Sequence, residues 1–248
     1  MDSEVSSWKR QLETLASVAQ TQPHAAYAAF THGLIGKSTF LTRTTEDAAQ
    51  SLQPLEDTIC DKLLPKLTGQ APPEKETREL LALPPCLGGL GLIDPHEALE
   101  DEFERSVSTS APLCKLIKDQ WHTIGDACHE VTRNRSTTAA RRKQGIARNA
   151  ATLQEKLPEN LQRAMEIFSE KGSSHWLNAL PLTAHGFSLP KGQFRDALCL
   201  RYNWHPQHLP AHCSCGQTFT IDHALTCPNG GFSILRHNEV RDLTAGLL

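Results

Sequence analysis

No stretch of the 248-residue chain approaches the roughly 20 consecutive apolar residues that a membrane-spanning helix needs. The start, MDSEVSSWKRQLETL, lacks the basic opening and apolar run of a secretory leader. The chain therefore reads as intracellular, nuclear or cytoplasmic, with no membrane partner. GxxxxGKS/T, GxSxG and HExxH do not occur, and no GxGxxG follows a strand pattern. These absences argue against a phosphate-loop nucleotidase, a serine hydrolase and a zinc peptidase, and no small-molecule substrate is expected. No internal repeat is present.

What is there suits a folded, water-facing protein. Apolar residues make up 39% and charged residues 21%, with a mean hydropathy of -0.39. That is neither membrane-embedded nor wholly disordered composition. Residues 1–130 carry 11 Lys and Arg against 20 Asp and Glu, a formal charge of -9. Residues 131–248 carry 14 against 8, a formal charge of +6, and seven of the twelve histidines. A polyanion would meet the second part.

Apolar spacing is helical along most of the chain. Trp8, Leu12, Leu15 and Ala19 mark one face of a first helix. PHAAYAAFTHGL predicts a second, ending near Gly33 or Gly36. Leu52, Leu55, Ile59, Leu63 and Leu67 predict a third, which Pro65 should kink or end. GQAPPEKE reads as a loop and ETRELLAL as a short helix. LPPCLGGLGLIDP reads as a packed turn, with Gly88, Gly89 and Gly91 between leucine anchors. Residues 95–132 suggest two helices. The first is acidic through Glu97, Glu100, Asp101, Glu102 and Glu104, the pattern of a solvated face. Leu153, Leu157, Leu161, Met165 and Phe168 predict one amphipathic helix over 151–171. In 174–204, Trp176, Phe187, Phe194, Tyr202 and Trp204 interleave with Arg195 and Arg201. A small local core explains this better than base stacking does, because Phe194, Leu198 and Tyr202 share a helical face. The fold class is mostly α: a helical bundle followed by a small region of short helices.

Two segments carry chemistry. Arg133, Arg135, Arg141, Arg142, Lys143 and Arg148 lie in an acid-free stretch over 133–150, a linker or a phosphate-contacting arm. Cys213, Cys215, His223 and Cys227 read as C-x-C-x7-H-x3-C, which suits one tetrahedral zinc ion. Gly216 lets the chain bend after the first pair, and His223 and Cys227 share a helical face. Four protein ligands make such a site closed and structural. Metal and fold would then form together, worth about 10–16 kcal/mol in small finger peptides. His212 offers a substitute ligand. Cys60, Cys86, Cys114, Cys128 and Cys199 have no paired spacing and read as small buried apolar residues.

Four blocks carry a family resemblance: the segment from Trp8 through PHAAYAAFTHGL, LLALPPCLGGLGLIDP, WLNALPLTAHGFSLPKGQFRDALCLRYNW, and CSCGQTFTIDHALTCPNGGFSILRHNEVRDL. Together they resemble the C-terminal part of a non-LTR-type retrotransposon polyprotein, a reverse transcriptase with a CCHC zinc knuckle. The resemblance implies a thumb-like helical region over 1–94, acidic helices over 95–132 and a basic linker or arm over 133–150. It further implies a small helical region over 151–204, the knuckle over 205–231, and the start of a truncated endonuclease-like segment over 232–248. Arg236 and His237 match the segment after the knuckle. The chain departs from the family in having no Asp-Asp pair to hold polymerase metals, and it ends at Leu248 before an endonuclease cluster. The expectation is therefore no enzyme but a DNA- or RNA-binding remnant, with a separate polymerase or retroelement protein as a further partner. The alternatives are a helical scaffold for protein interaction and an inactive expressed gene fragment.

Overall fold

The computed structural model describes residues 2–46, 49–96, 99–119, 124–206, 209–230 and 232–246. The chain is 75% helical, with no strand among the described residues. It divides once, into Met1–Trp204 and His205–Leu248.

In the first unit, α1 (Asp2–Ala19) buries Leu12, Ala16 and Ala19. Pro23 then opens α2 (Pro23–Ala29), where its fixed φ suits the first helical turn. The helix does not end at Gly33 or Gly36. It widens into a π turn over Phe30–Leu34, where the Ile35 N–H reaches back to the Phe30 carbonyl, and runs on as α3 (Ile35–Thr44). The same device carries the third helix past Pro65, so the proline does not end it. α4 (Ala49–Thr58) passes through a π turn at Ile59–Leu63 into α5 (Leu64–Thr68). A proline removes one N–H and crowds the carbonyl four residues back. The wider turn absorbs both, so Leu52, Leu55, Ile59, Leu63 and Leu67 stay on one buried face. Each such leucine contributes about 2 kcal/mol of apolar burial.

After α6 (Lys75–Ala82), the glycine-rich segment folds back over the helix end, as a packed turn should. The Leu90 and Leu92 N–H groups both donate to the Leu81 carbonyl, at 3.2 and 3.1 Å. A Cβ on Gly89 would stand 1.9 Å from the Leu83 oxygen, so no side chain fits there. Three distant residues bind this turn: the Tyr27 hydroxyl donates to the Leu90 carbonyl, Tyr202 to Gly88, and Arg201 to Pro85 and Gly89.

α7 (Leu99–Lys118) and α8 (Ile124–Lys156) form a long antiparallel hairpin, held in register by the Asn134 amide on the Ser108 carbonyl at 2.9 Å. The expected linker over 133–150 lies inside α8, a single helix of 33 residues. Alanine, arginine and glutamine are strong helix formers, and packing against α7 supplies the rest. The predicted helix over 151–171 is two helices instead. α8 stops before Pro158, and α9 (Glu159–Ser169) follows.

α10 (Lys191–Tyr202) buries Phe194, Leu198 and Tyr202, the face read from sequence. Their partners come both from the block itself, Trp176 edge-on to Phe194 at 6.0 Å and Trp204 against Tyr202 at 4.7 Å, and from the N-terminal helices, while Phe187 stays exposed. Phe194 stacks on His24 at 5.1 Å and meets Tyr27 at 6.0 Å. Residues 151–204 therefore belong to the same unit as residues 2–46. The arginines of this block serve the backbone: Arg195 bonds the Lys66 and Leu67 carbonyls, and Arg201 is 1% exposed.

In the second unit an irregular segment leads to α11 (Ile221–Thr226) and then to α12 (Phe232–Gly246).

Candidate metal centre and basic helix

The second unit brings the four sequence-predicted ligands together. Cys213 and Cys215 flank a tight turn in which the Gly216 N–H donates to the Cys213 carbonyl at 2.8 Å. Gly216 sits at φ +86, a conformation glycine adopts without strain. A His212–Thr218 bridge and the Cys213 N–H on the Gln217 carbonyl close the loop. Thr220 caps α11, its hydroxyl accepting the His223 N–H at 3.0 Å. That cap starts the helical turn that places His223 below Cys227, four residues on.

Cys213 Sγ lies 3.6 Å from Cys227 Sγ, and Cys215 Sγ lies 3.1 Å from His223 Nε2. All four ligand atoms fall within 4.8 Å of one another. A zinc tetrahedron with Zn–S of about 2.3 Å and Zn–N of about 2.0 Å spaces its ligands about 3.5–3.8 Å apart. Three thiols and one imidazole at these distances form a group that can hold one metal ion such as zinc. The Cys213 thiol is drawn down to about 6, first by the Cys215 backbone N–H and then by the His223 side chain. The Cys215 thiol is raised: the Gln217 backbone N–H pulls it down, but burial and the neighbouring Cys213 and Cys227 outweigh that pull. A Cys213 sulfur lowered toward its thiolate is a ligand ready for a soft cation. His212 stays exposed and outside the group.

The remaining cysteines correct a sequence expectation. Cys199 is buried and Cys60 half-buried, but Cys86, Cys114 and Cys128 are exposed. Burial and then Glu56 push Cys60 up to about 12, so it stays a thiol.

The six basic candidates all ride on α8. At 3.6 residues per turn, Arg133, Arg141 and Arg148 fall within an arc of about 80° and span about 22 Å. Arg135 and Lys143 lie on the other flank. These five are exposed and, among the described residues, have no ion-pair partner. Arg142 is different. It pairs with Glu102 of α7 at 3.0 Å, and Arg43 and Arg105 bind the same carboxylate at 2.8 and 3.2 Å. Glu102, expected on a solvated face, is buried. Sequence showed only the Glu102–Arg105 spacing of three on one helix. Glu97 lies outside the described residues.

Among the described residues no helix is long and apolar enough to cross a membrane. No family model, no curated protein and no solved structure matches this chain.

Proposed function

We propose that the protein binds nucleic acid without catalysing a reaction on it, through the exposed cations of α8, and that the Cys213–Cys215–His223–Cys227 group holds one structural zinc ion. The observation that carries the reading is α8 itself: five exposed cations with no ion-pair partner among the described residues, on one stiff helix with no acid between Glu130 and Glu155. Phosphate contacts need cations held at fixed spacing on a surface free of repelling carboxylates. The Arg133–Arg141–Arg148 flank supplies three. Zinc supplies no bond-making chemistry here; it ties the Cys213 turn to α11. The Cys3His spacing and the four sequence blocks support an origin in a retrotransposon reverse transcriptase polyprotein, and such a remnant would work beside a separate polymerase.

The test is the salt dependence of binding to a labelled oligonucleotide. Affinity should fall steeply as salt rises. The triple variant Arg133→Gln, Arg141→Gln, Arg148→Gln should flatten the log–log slope by about 2.7, at 0.9 per phosphate contact on duplex. A flat dependence in the unmodified chain, or none of this change in the variant, would falsify the reading. A helical scaffold for protein partners is then favoured by the exposed Leu113, Ile117 and Ile124 at the hairpin's tip.

A further inference from the structure

Glu102 neutralises one of three guanidinium charges. Arg43, Arg105 and Arg142 come from α3, α7 and α8, and their side chains are 44%, 29% and 37% exposed. The cluster therefore carries a formal excess of two positive charges, held in place by a buried carboxylate and still open to water. Each guanidinium keeps donors that Glu102 does not use, in the planar fork that suits phosphate oxygens. A phosphomonoester carries about -1.5 to -2 at neutral pH, which matches this excess; a backbone diester carries less.

Glu102 and Arg142 also line a cavity of about 540 Å³. That is within the roughly 300–1,000 Å³ of ordinary ligand sites. Leu83, Pro84, Ile146 and Leu153 give it apolar walls, Glu79 and Asp94 add two carboxylates, and Lys156 adds an ammonium. Such a lining accepts a flat body that stacks on hydrocarbon and donates N–H hydrogen bonds.

We propose that this cavity and its arginine rim form a nucleotide site, with a terminal phosphate on Arg43, Arg105 and Arg142 and a base inside. The exocyclic amino group of a base donates to carboxylates such as Glu79. The site goes beyond the nucleic-acid reading and does not depend on it, because Arg142 and Arg43 lie outside the Arg133–Arg141–Arg148 flank. Its ligand is a free nucleoside monophosphate or the phosphorylated end of a strand; both present the same dianion and base.

The experiment is an NMR titration of the full chain with cytidine monophosphate, cytidine and inorganic phosphate at fixed ionic strength. The monophosphate should bind at least tenfold tighter than either fragment. Arg43→Gln leaves two arginines on Glu102, so the fold should persist, and an unchanged thermal transition checks this. The variant should weaken the monophosphate and inorganic phosphate about tenfold and leave cytidine unchanged. Thr152→Trp, which fills the cavity from its exposed edge, should weaken the monophosphate and cytidine but not phosphate. A monophosphate no tighter than phosphate, or indifferent to both substitutions, overturns the proposal whether or not α8 binds oligonucleotides. A 5′-phosphorylated tetranucleotide that binds as tightly as the monophosphate supports the site with a strand end as ligand; its exclusion supports the site with a free nucleotide.

Discussion

Gly89 lacks room for a single carbon, and the obstacle is backbone: the Leu83 oxygen at 1.9 Å and the Leu80 oxygen at 2.7 Å from a built Cβ. Gly89→Ala must displace the turn that Tyr27, Arg201 and Tyr202 hold. It should cost about 3 kcal/mol or more, measured by urea unfolding. His24 is the second sensitive residue. It is buried against Phe194, its Nδ1 accepts the Leu189 N–H at 3.1 Å, and the Ala179 backbone pulls its pKa up less than burial pulls it down. Burial lowers its pKa below the ordinary 6.5. The folded chain then keeps His24 neutral while the unfolded chain protonates it. Stability from this residue is complete above about pH 6.5 and is lost as pH falls toward the lowered value. Chemical denaturation at pH 7.5 and 5.5 should show the loss, and His24→Gln should reduce it. The metal group was legible from sequence because its ligands lie within one short segment. The Glu102 cluster was not, because Arg43, Glu102 and Arg142 come from three separate helices.

Helices were legible wherever apolar spacing was regular; their ends and joints were not. Gly33, Gly36 and Pro65 carry the marks of termini, yet π turns carry both helices past them. Neighbouring packing decided this, since stopping at Pro65 would have exposed Leu67. Pro158 did end a helix, because the chain there must turn from α8 into α9. The basic stretch within α8 reads as a linker or arm because it has few large apolar residues, although its alanines, arginines and glutamine favour helix and packing against α7 completes it. Gly145 lies within it with nothing within 4 Å of a built Cβ. Gly145→Ala should therefore stabilise the helix by about 1 kcal/mol, seen as a higher thermal midpoint with nucleic-acid binding unchanged.

The two units rest on different forces. Met1–Trp204 is held by apolar burial and by the bidentate Arg78–Glu56 pair, at 2.6 and 2.8 Å, whose guanidinium also binds the Leu92 carbonyl. His205–Leu248 has few buried apolar side chains among its described residues, Cys227 among them. Chelation should therefore melt the second unit and leave the first. Circular dichroism with EDTA should show a partial loss of helix, and Cys213→Ser should show the same loss without chelator, along with about one equivalent of metal missing. In the first unit, the glycine-rich turn is tied from both directions, by Tyr27 before it and by Arg201 and Tyr202 after it. A chain growing on the ribosome can fold that turn onto Leu81 and Tyr27 early, but the Arg201 and Tyr202 bonds to it wait until residue 202 has been made. Until then α5 has α1 and α2 to pack on but lacks α10, and that uncovered side is what a chaperone would hold during this stretch of synthesis.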